Sequence, residues 1–397
     1  MSQDLHGTPF VDTIALDFLE HPRVLAAALP NRGGRWSQYG CLPGFRFDGS
    51  ERVYAVELAW PGQLAAEVEV VRGSNVVVAI LDPSDENLRC LAGDPRRAVA
   101  EDLDPGVYWI VVDGAAAAGG GATEYRLAVE PEAYDAWVER EVAPGVVWQR
   151  WFGRRSVRSV NVLRVSRAAR MAGHEVAGMH AGGRCEAVGA MGEHGGAFAG
   201  VNASFHRRLA EDGSSALGDE EGESFVVTRC EPDLGIVKID GELLAHSVGT
   251  RVTFGADASG EIRMREVEAP DSWDEVPTAF GGHPSLIPYR GGSEVTGVLH
   301  PRTAIGISAD DELIMATVDG RTAVGEGFSL PQTAELMREL GAVTAINLDG
   351  GGSTTMWIRG TTLSGVVNYP SDGWSWGTHP DHEHSRSISD GLFLFSP

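Results

Sequence analysis

Positive charge is scarce in this 397-residue chain: 32 lysines and arginines stand against 56 aspartates and glutamates, a formal net charge of -24. A field of that sign repels nucleic acid and anionic membrane surfaces, which argues against both as general partners. It still permits a small anionic substrate held by local arginines. No uninterrupted apolar run is long enough for a transmembrane helix, so no membrane span is expected. The opening residues MSQDLHGTPFVDT lack a basic n-region and an apolar h-region, and no signal peptide is visible. Either the protein is cytosolic or a leader has been removed. Cysteine is also scarce: Cys41, Cys90, Cys185 and Cys230, with no CxxC pair, which argues against a zinc ribbon or a thioredoxin-type motif. The economical arrangement is two intradomain disulfides, Cys41–Cys90 and Cys185–Cys230, in an oxidising compartment, hence a secreted, periplasmic or extracellular protein. The alternative is four buried free thiols.

What is present is ordinary globular composition, 43% hydrophobic and 22% charged, with 51 glycines that point to a β-rich chain. The length suits two domains. Residues 14–29 carry apolar residues in both helical and strand registers. From Cys41 onward, VYAVEL (53–58), AEVEVV (66–71), NVVVAIL (75–81), VYWIVV (107–112) and YRLAVE (125–130) alternate as short strands between turn residues. Strands without intervening helices predict an antiparallel β-sandwich over residues 1–132. Residues 133–146, polar and closed by Pro144-Gly145, read as a linker with a turn or two of helix. The second domain, 147–397, is α+β with further strands at 159–165, 223–227, 236–240, 251–254 and 313–318. It contains one well-signalled helix. Ser329 and Gln332 form a capping box, Leu330, Ala334, Leu336, Met337 and Leu340 line one face, and Gly341 stops it.

In the first domain, VVVAILDPSDENLRC followed by PGVYWIVVDG resembles the bacterial pre-peptidase C-terminal type domain, across residues 30–132. The resemblance implies a jelly-roll-like fold and favours the Cys41–Cys90 pair. Asp82, Asp85, Glu86 and Asp113 are candidates for a structural calcium site.

The stretch AINLDGGGSTTM (345–356) is a strand ending at Asp349 that runs into three glycines. Such a loop lets backbone N–H groups lie against an anion, with the carboxylate beside them. Read together, HPRTAIGIS (300–308), TVDGR (317–321), this loop and NYPSD (368–372) resemble the phosphodiester glycosidase family. GVNASF (200–205), IDGELL (239–244) and GGHPSLI (281–287) also fit that resemblance. It implies hydrolysis of an α-linked sugar 1-phosphodiester, of the N-acetylglucosamine 1-phosphodiester type, to free sugar and a phosphomonoester. No cofactor is required.

The reaction needs a carboxylate near the anomeric carbon and cations on the phosphate. Asp349 is the first candidate, Asp319 the second member of a pair, and Arg302 and Arg321 the phosphate ligands. Gly350, Gly351, Gly352, Ser353 and Thr354 supply loop donors. Asn202 is placed on a sugar hydroxyl or amide, and Asn368 and Asp372 form a sugar-side wall. His206 stands where the resemblance leads one to expect an aromatic ring. His283 sits in a site turn and Arg386 faces an anionic substrate. His379, His382 and His384, in THPDHEHSRS, have spacing that can ligate a divalent metal. Two rival readings remain: a non-catalytic carbohydrate-binding protein and a metal-dependent phosphodiesterase. Nothing in the sequence sets an oligomeric state.

Overall fold

Alternation in the first strands decides their packing. In ERVYAVEL (51–58), Tyr54, Val56 and Leu58 point to one side and are buried. They join Leu64, Ala66, Val68, Val78, Ile80, Ile110, Val112, Leu127 and Val129 in one core. The computed structural model describes residues 11–13, 22–29, 39–43, 50–85, 88–114, 122–154, 158–210, 227–246, 251–268, 273–290, 297–373, 381–383 and 385–397. These divide into two compact units: Met1–Val138 with Phe152–Arg154 and Gly360–Leu363, and the remainder.

The first unit is a sandwich. One sheet orders Val11–Thr13, Glu51–Leu58, Gly106–Gly114, Val76–Asp82 and Arg89–Asp94; the other orders Arg23–Ala28, Glu124–Ala133, Gly62–Arg72 and Arg97–Leu103. Pairing is antiparallel except for Val11–Thr13, which runs parallel to Val53–Ala55. Cys41 is bonded to Cys90. Of the calcium candidates, Asp113 and Asp82 do not meet. Asp113 pairs opposite Val77 while Asp82 lies at the far end of the same strand, five residues on, or about 16 Å at 3.3 Å per residue. Asp82 Oδ1 accepts from the Ser84 backbone and hydroxyl, an ordinary turn. Glu86 lies outside the described residues.

Asp113 is instead a buried acid, 1% exposed, opposite Glu51 in the strand register. Tyr39 Oη donates to it at 2.7 Å. Burial lifts its carboxyl from the ordinary 3.8 to about 7, with Glu51 adding to the rise. A carboxyl raised by folding binds its proton more tightly in the native state. Its stabilising contribution is therefore full below pH 4 and is lost as pH climbs toward 7. Thermal unfolding should fall between pH 4.5 and 7.5 more steeply in the wild type than in Asp113→Asn; parallel curves would contradict this.

In the second unit a seven-stranded sheet orders Trp137–Ala143, Val146–Gly153, Arg158–Val165, Leu313–Val318, Arg302–Ser308, Ala342–Asn347 and Ser285–Ile287. The expected linker is thus strand and hairpin. The Glu124–Ala133 strand ends within it, and Trp137–Ala143 returns through Pro144 and Gly145 (φ +71) into Val146–Gly153. Its charged residues belong to an edge strand, where charge blunts unwanted pairing. The expected strand 223–227 falls almost entirely outside the described residues.

The two sheet faces separate cleanly. Leu163, Ile305, Ile307, Met315 and Ile346 face the main core. Val162, Ala304, Ile314, Ala316 and Ala345 face the other way, onto the helix Leu330–Glu339. That helix forms as its sequence dictates. Ser329 Oγ accepts from Gln332 N, Gln332 Oε1 accepts from Ser329 N at 2.8 Å, and Gly341 takes φ +90 just beyond it. Burying Leu336 and Met337 contributes about 1.5–3 kcal/mol each. Two further sheets complete the unit. One orders Glu175–His180, Asp390–Phe395, Ala199–Asn202 and Met356–Ile358; the other contains Ile236–Ile239, Thr278–Gly281 and Arg251–Ala256. A hairpin, His206–Ala210 with Val227–Pro232, is tied by the Cys185–Cys230 disulfide.

Candidate active site

Register brings the chemistry to one end of the seven-stranded sheet. Arg302 opens its strand opposite Val318, so Asp319 follows beside it. Ala304 pairs with Asn347, and Leu348 N continues the ladder to Thr303 O at 2.9 Å. Asp349 then leaves the sheet, with its N–H donating to Ala203 O at 3.0 Å. Its side chain is 19% exposed. Oδ1 accepts from Gly350 N at 2.9 Å, and Oδ2 lies 3.3 Å from His206 Nδ1.

The glycine loop closes on itself as one 3₁₀ turn, Gly351–Ser353. This alters the expected nest of free donors. Gly350 N is taken by Asp349, Gly351 N by Pro301 O, Ser353 N by Gly350 O and Thr354 N by Gly351 O. The glycines serve close approach instead. Gly351 takes φ +61 beside the Arg321 guanidinium, and a Cβ at Gly352 would collide with Asp372 and Arg386.

Two asparagines expected to face sugar are internal clamps. Asn202, 1% exposed, donates to Asp349 O at 2.7 Å. Its oxygen accepts from Thr303 Oγ1 and Thr355 N, so it holds both feet of the loop. Asn368, fully buried, accepts from Met356 N and donates to Thr354 O and Asp319 Oδ1. Asp319 itself is 0% exposed. Its Oδ1 also accepts from Tyr369 N, and burial lifts its carboxyl to about 6 against these hydrogen bonds. It braces the loop from beneath and offers no exposed oxygen. Arg302 is likewise turned inward, with Nε donating to Phe328 O and Nη2 to Val298 O.

Among the described residues beside the loop, the cations that keep accessible surface are Arg321, exposed, and Arg386, half-buried. Arg321 holds φ +59, a conformation rare for a side chain of this size and one found disproportionately at functional sites. Its Nη2 sits 2.7 Å from His300 Nδ1. Burial and Arg321 push the His300 imidazole toward its neutral form, leaving Nδ1 free to accept. Arg386 forms a two-point pair with Asp372 at 2.6 and 3.1 Å, seated on Gly352. His283 is exposed. Its N–H donates to Asn347 O and its carbonyl accepts from Asn347 Nδ2, two residues before Asp349.

Of the metal candidates, His379 and His384 lie outside the described residues. His382 is buried, stacks on Tyr369 at 4.3 Å, and its Nδ1 is 2.7 Å from Asn368 O. Among the described residues, no three His, Cys, Asp or Glu side chains are grouped to hold a metal ion.

Sequence reasoning missed Asp390, a buried acid at the start of the last strand. Its Oδ1 accepts from Ser204 N at 2.8 Å, and its Oδ2 accepts from the Ser204 and Ser389 hydroxyls. Burial raises its carboxyl, while these bonds and the nearby His206 oppose the rise. An aspartate beginning SDGLFLF carries no signal that it will reach back to residue 204.

Residues 199–395 match the family model described as phosphodiester glycosidase. Over 80 residues, 20% of this chain, the sequence is 42% identical to the mouse N-acetylglucosamine-1-phosphodiester alpha-N-acetylglucosaminidase. The human protein of that name is 41% identical over 80 residues. The matched stretch spans 14% of the mouse protein and 15% of the human one. An uncharacterized prophage-derived protein of Bacillus subtilis is 37% identical over 76 residues, 19% of this chain and 11% of that protein. Among solved structures, the zebrafish catalytic domain of the same glucosaminidase, auto-inhibited by its pro-peptide, aligns with a TM-score of 0.45 at 20% identity. That alignment covers 66% of this chain and 82% of that one.

Proposed function

The chain belongs to the phosphodiester glycosidase family through residues 199–395, and from that premise we propose that it hydrolyses α-linked sugar 1-phosphodiesters, with N-acetylglucosamine as the sugar. Water adds at the anomeric carbon, the bond from that carbon to the phosphate oxygen breaks, and the phosphate leaves as a monoester. The proton lost by water goes to a carboxylate. Phosphate is a good leaving group, so the main demand is to stabilise oxocarbenium-like charge.

The observation that carries this reading is one partly exposed carboxylate, Asp349, fixed at a strand end beside a loop flanked by Arg321 and Arg386. Asp349 offsets the developing positive charge on the sugar. Arg321, on a strained backbone, and Arg386, partly neutralised by Asp372, suit the phosphate. Asp319 braces the loop through Asn368, and Arg302 ties the start of its strand to Phe328 O and Val298 O. The two disulfides favour an oxidising, extracytoplasmic compartment. The test is incubation with the methyl diester of N-acetylglucosamine α-1-phosphate, with and without chelator. Free sugar and methyl phosphate in both supports the proposal. Sugar 1-phosphate and methanol, or no turnover, overturns it.

A further inference from the structure

The two arginines beside the glycine loop have different partners. Arg386 is matched by the Asp372 carboxylate. Among the described residues Arg321 meets no carboxylate, and its polar side-chain partner is His300, with Nη2 2.7 Å from Nδ1. Backbone fixes both ends of this contact. His300 N–H donates to Phe328 O at 3.2 Å, and its carbonyl accepts from Phe328 N at 2.9 Å. Gly327, at φ +98, permits that approach, since a Cβ there would lie 2.5 Å from the His300 carbonyl. Arg321 holds φ +59 at the mouth of a tight turn in which Thr322 and Gly325 exchange both backbone bonds. A Cβ on Gly351 would come within 3.3 Å of Arg321 Nη1, so the same guanidinium also lies against the loop that follows Asp349. An arginine without a partner samples several rotamers, and ordering them on binding costs free energy. A carboxylate would order it and cancel its charge; a neutral imidazole orders it and leaves the charge in place. Burial, Arg321 and Arg302 all push His300 toward that neutral form.

We propose that His300 is a positioning residue whose Nδ1 lone pair holds the Arg321 guanidinium against the Gly351 turn, so that the phosphate of the diester meets a cation already oriented and still fully charged. His300 does not itself touch the substrate and acts through Arg321. This rests on the reading of Arg321 as the cation that meets the phosphate. The pair is a statement about binding and can be tested without turnover.

The test is a double-mutant cycle on the affinity for methyl phosphate, the phosphomonoester that the reaction leaves, measured by calorimetry at pH 7.5. Arg321→Ala should weaken binding about tenfold or more, because a hydrogen bond to a charged group is lost. His300→Leu keeps the side chain's bulk and removes the acceptor. It should weaken binding about three- to tenfold, the cost of ordering one free side chain. His300→Asn, close to leucine in shape but with an oxygen that can accept from Arg321, should return to within about threefold of wild type. In the Arg321→Ala background, His300→Leu should cost no more than about twofold further, since its effect passes through the missing guanidinium. Wild-type affinity in His300→Leu, equal losses in the Leu and Asn variants, or losses that multiply in the double variant each overturn the proposal. So does a wild type that does not bind methyl phosphate. The expected pattern in a protein that fails to turn over the diester counts against the proposed reaction alone.

Discussion

Asp349→Asn should lose turnover on a sugar 1-phosphodiester by about 10²–10⁴-fold while keeping its fold. The side chain is 19% exposed, so neutralising it leaves no buried charge behind. Asparagine retains the oxygen that accepts from Gly350 N, and the clamp from Asn202 reaches the Asp349 carbonyl, which the substitution does not touch. The melting temperature should therefore stay within about 2 °C of wild type, a shift worth no more than about 1 kcal/mol. Loss of both stability and activity would mean that the carboxylate holds the loop instead of serving the reaction.

Asp319→Ala should do the reverse and strike stability first. Tyr369 N would lose its acceptor, and Asn368 Nδ2 would keep only Thr354 O. Each buried donor left without a partner costs about 1–3 kcal/mol. Summed over the two, the unit should melt on the order of 10 °C lower, with activity falling as the NYPSD segment loosens. Asp319→Asn, which keeps one oxygen for Tyr369 N, should recover much of both. If Asp319 instead met the substrate, the Asn variant would lose kcat with an unchanged melting temperature. Differential scanning calorimetry beside a turnover assay distinguishes the two.

These opposite expectations for two aspartates, at the ends of the strands on either side of Arg302–Ser308, mark where sequence reading stops. Alternation in ERVYAVEL carries its own register, because one face must be buried; LIMATV, buried on both faces, shows as a strand by its short continuous apolar run. The capping box at Ser329 is local chemistry, and it forms as written. Segments whose burial depends on distant partners were hidden. Arg89–Asp94 and Arg97–Leu103 each join a sheet as strands, although RCLAGD and RAVAEDL show no clean apolar–polar alternation to announce it. The hairpin at 137–153 looked like a linker because its first strand lies at a sheet edge.

The site shows the same limit at the level of single atoms. Residue types told where polar chemistry gathers, but not which way each hydrogen bond runs. Asn202, Asn368, Asp319 and Arg302 gather near the loop, and all four spend polar atoms on protein partners. Asp349, Arg321 and the Asp372–Arg386 pair keep exposed surface. Burial and partner geometry make that division, and both are set by tertiary packing. Asp390 enters for the same reason, since its contact with Ser204 spans 186 residues of chain.

The most direct test of the central claim is to run the hydrolysis of the methyl diester of N-acetylglucosamine α-1-phosphate in ¹⁸O-labelled water and locate the label. The account predicts one labelled oxygen at the anomeric position of the released sugar and none in methyl phosphate. Label in the phosphate would place the broken bond on the phosphorus side and contradict it.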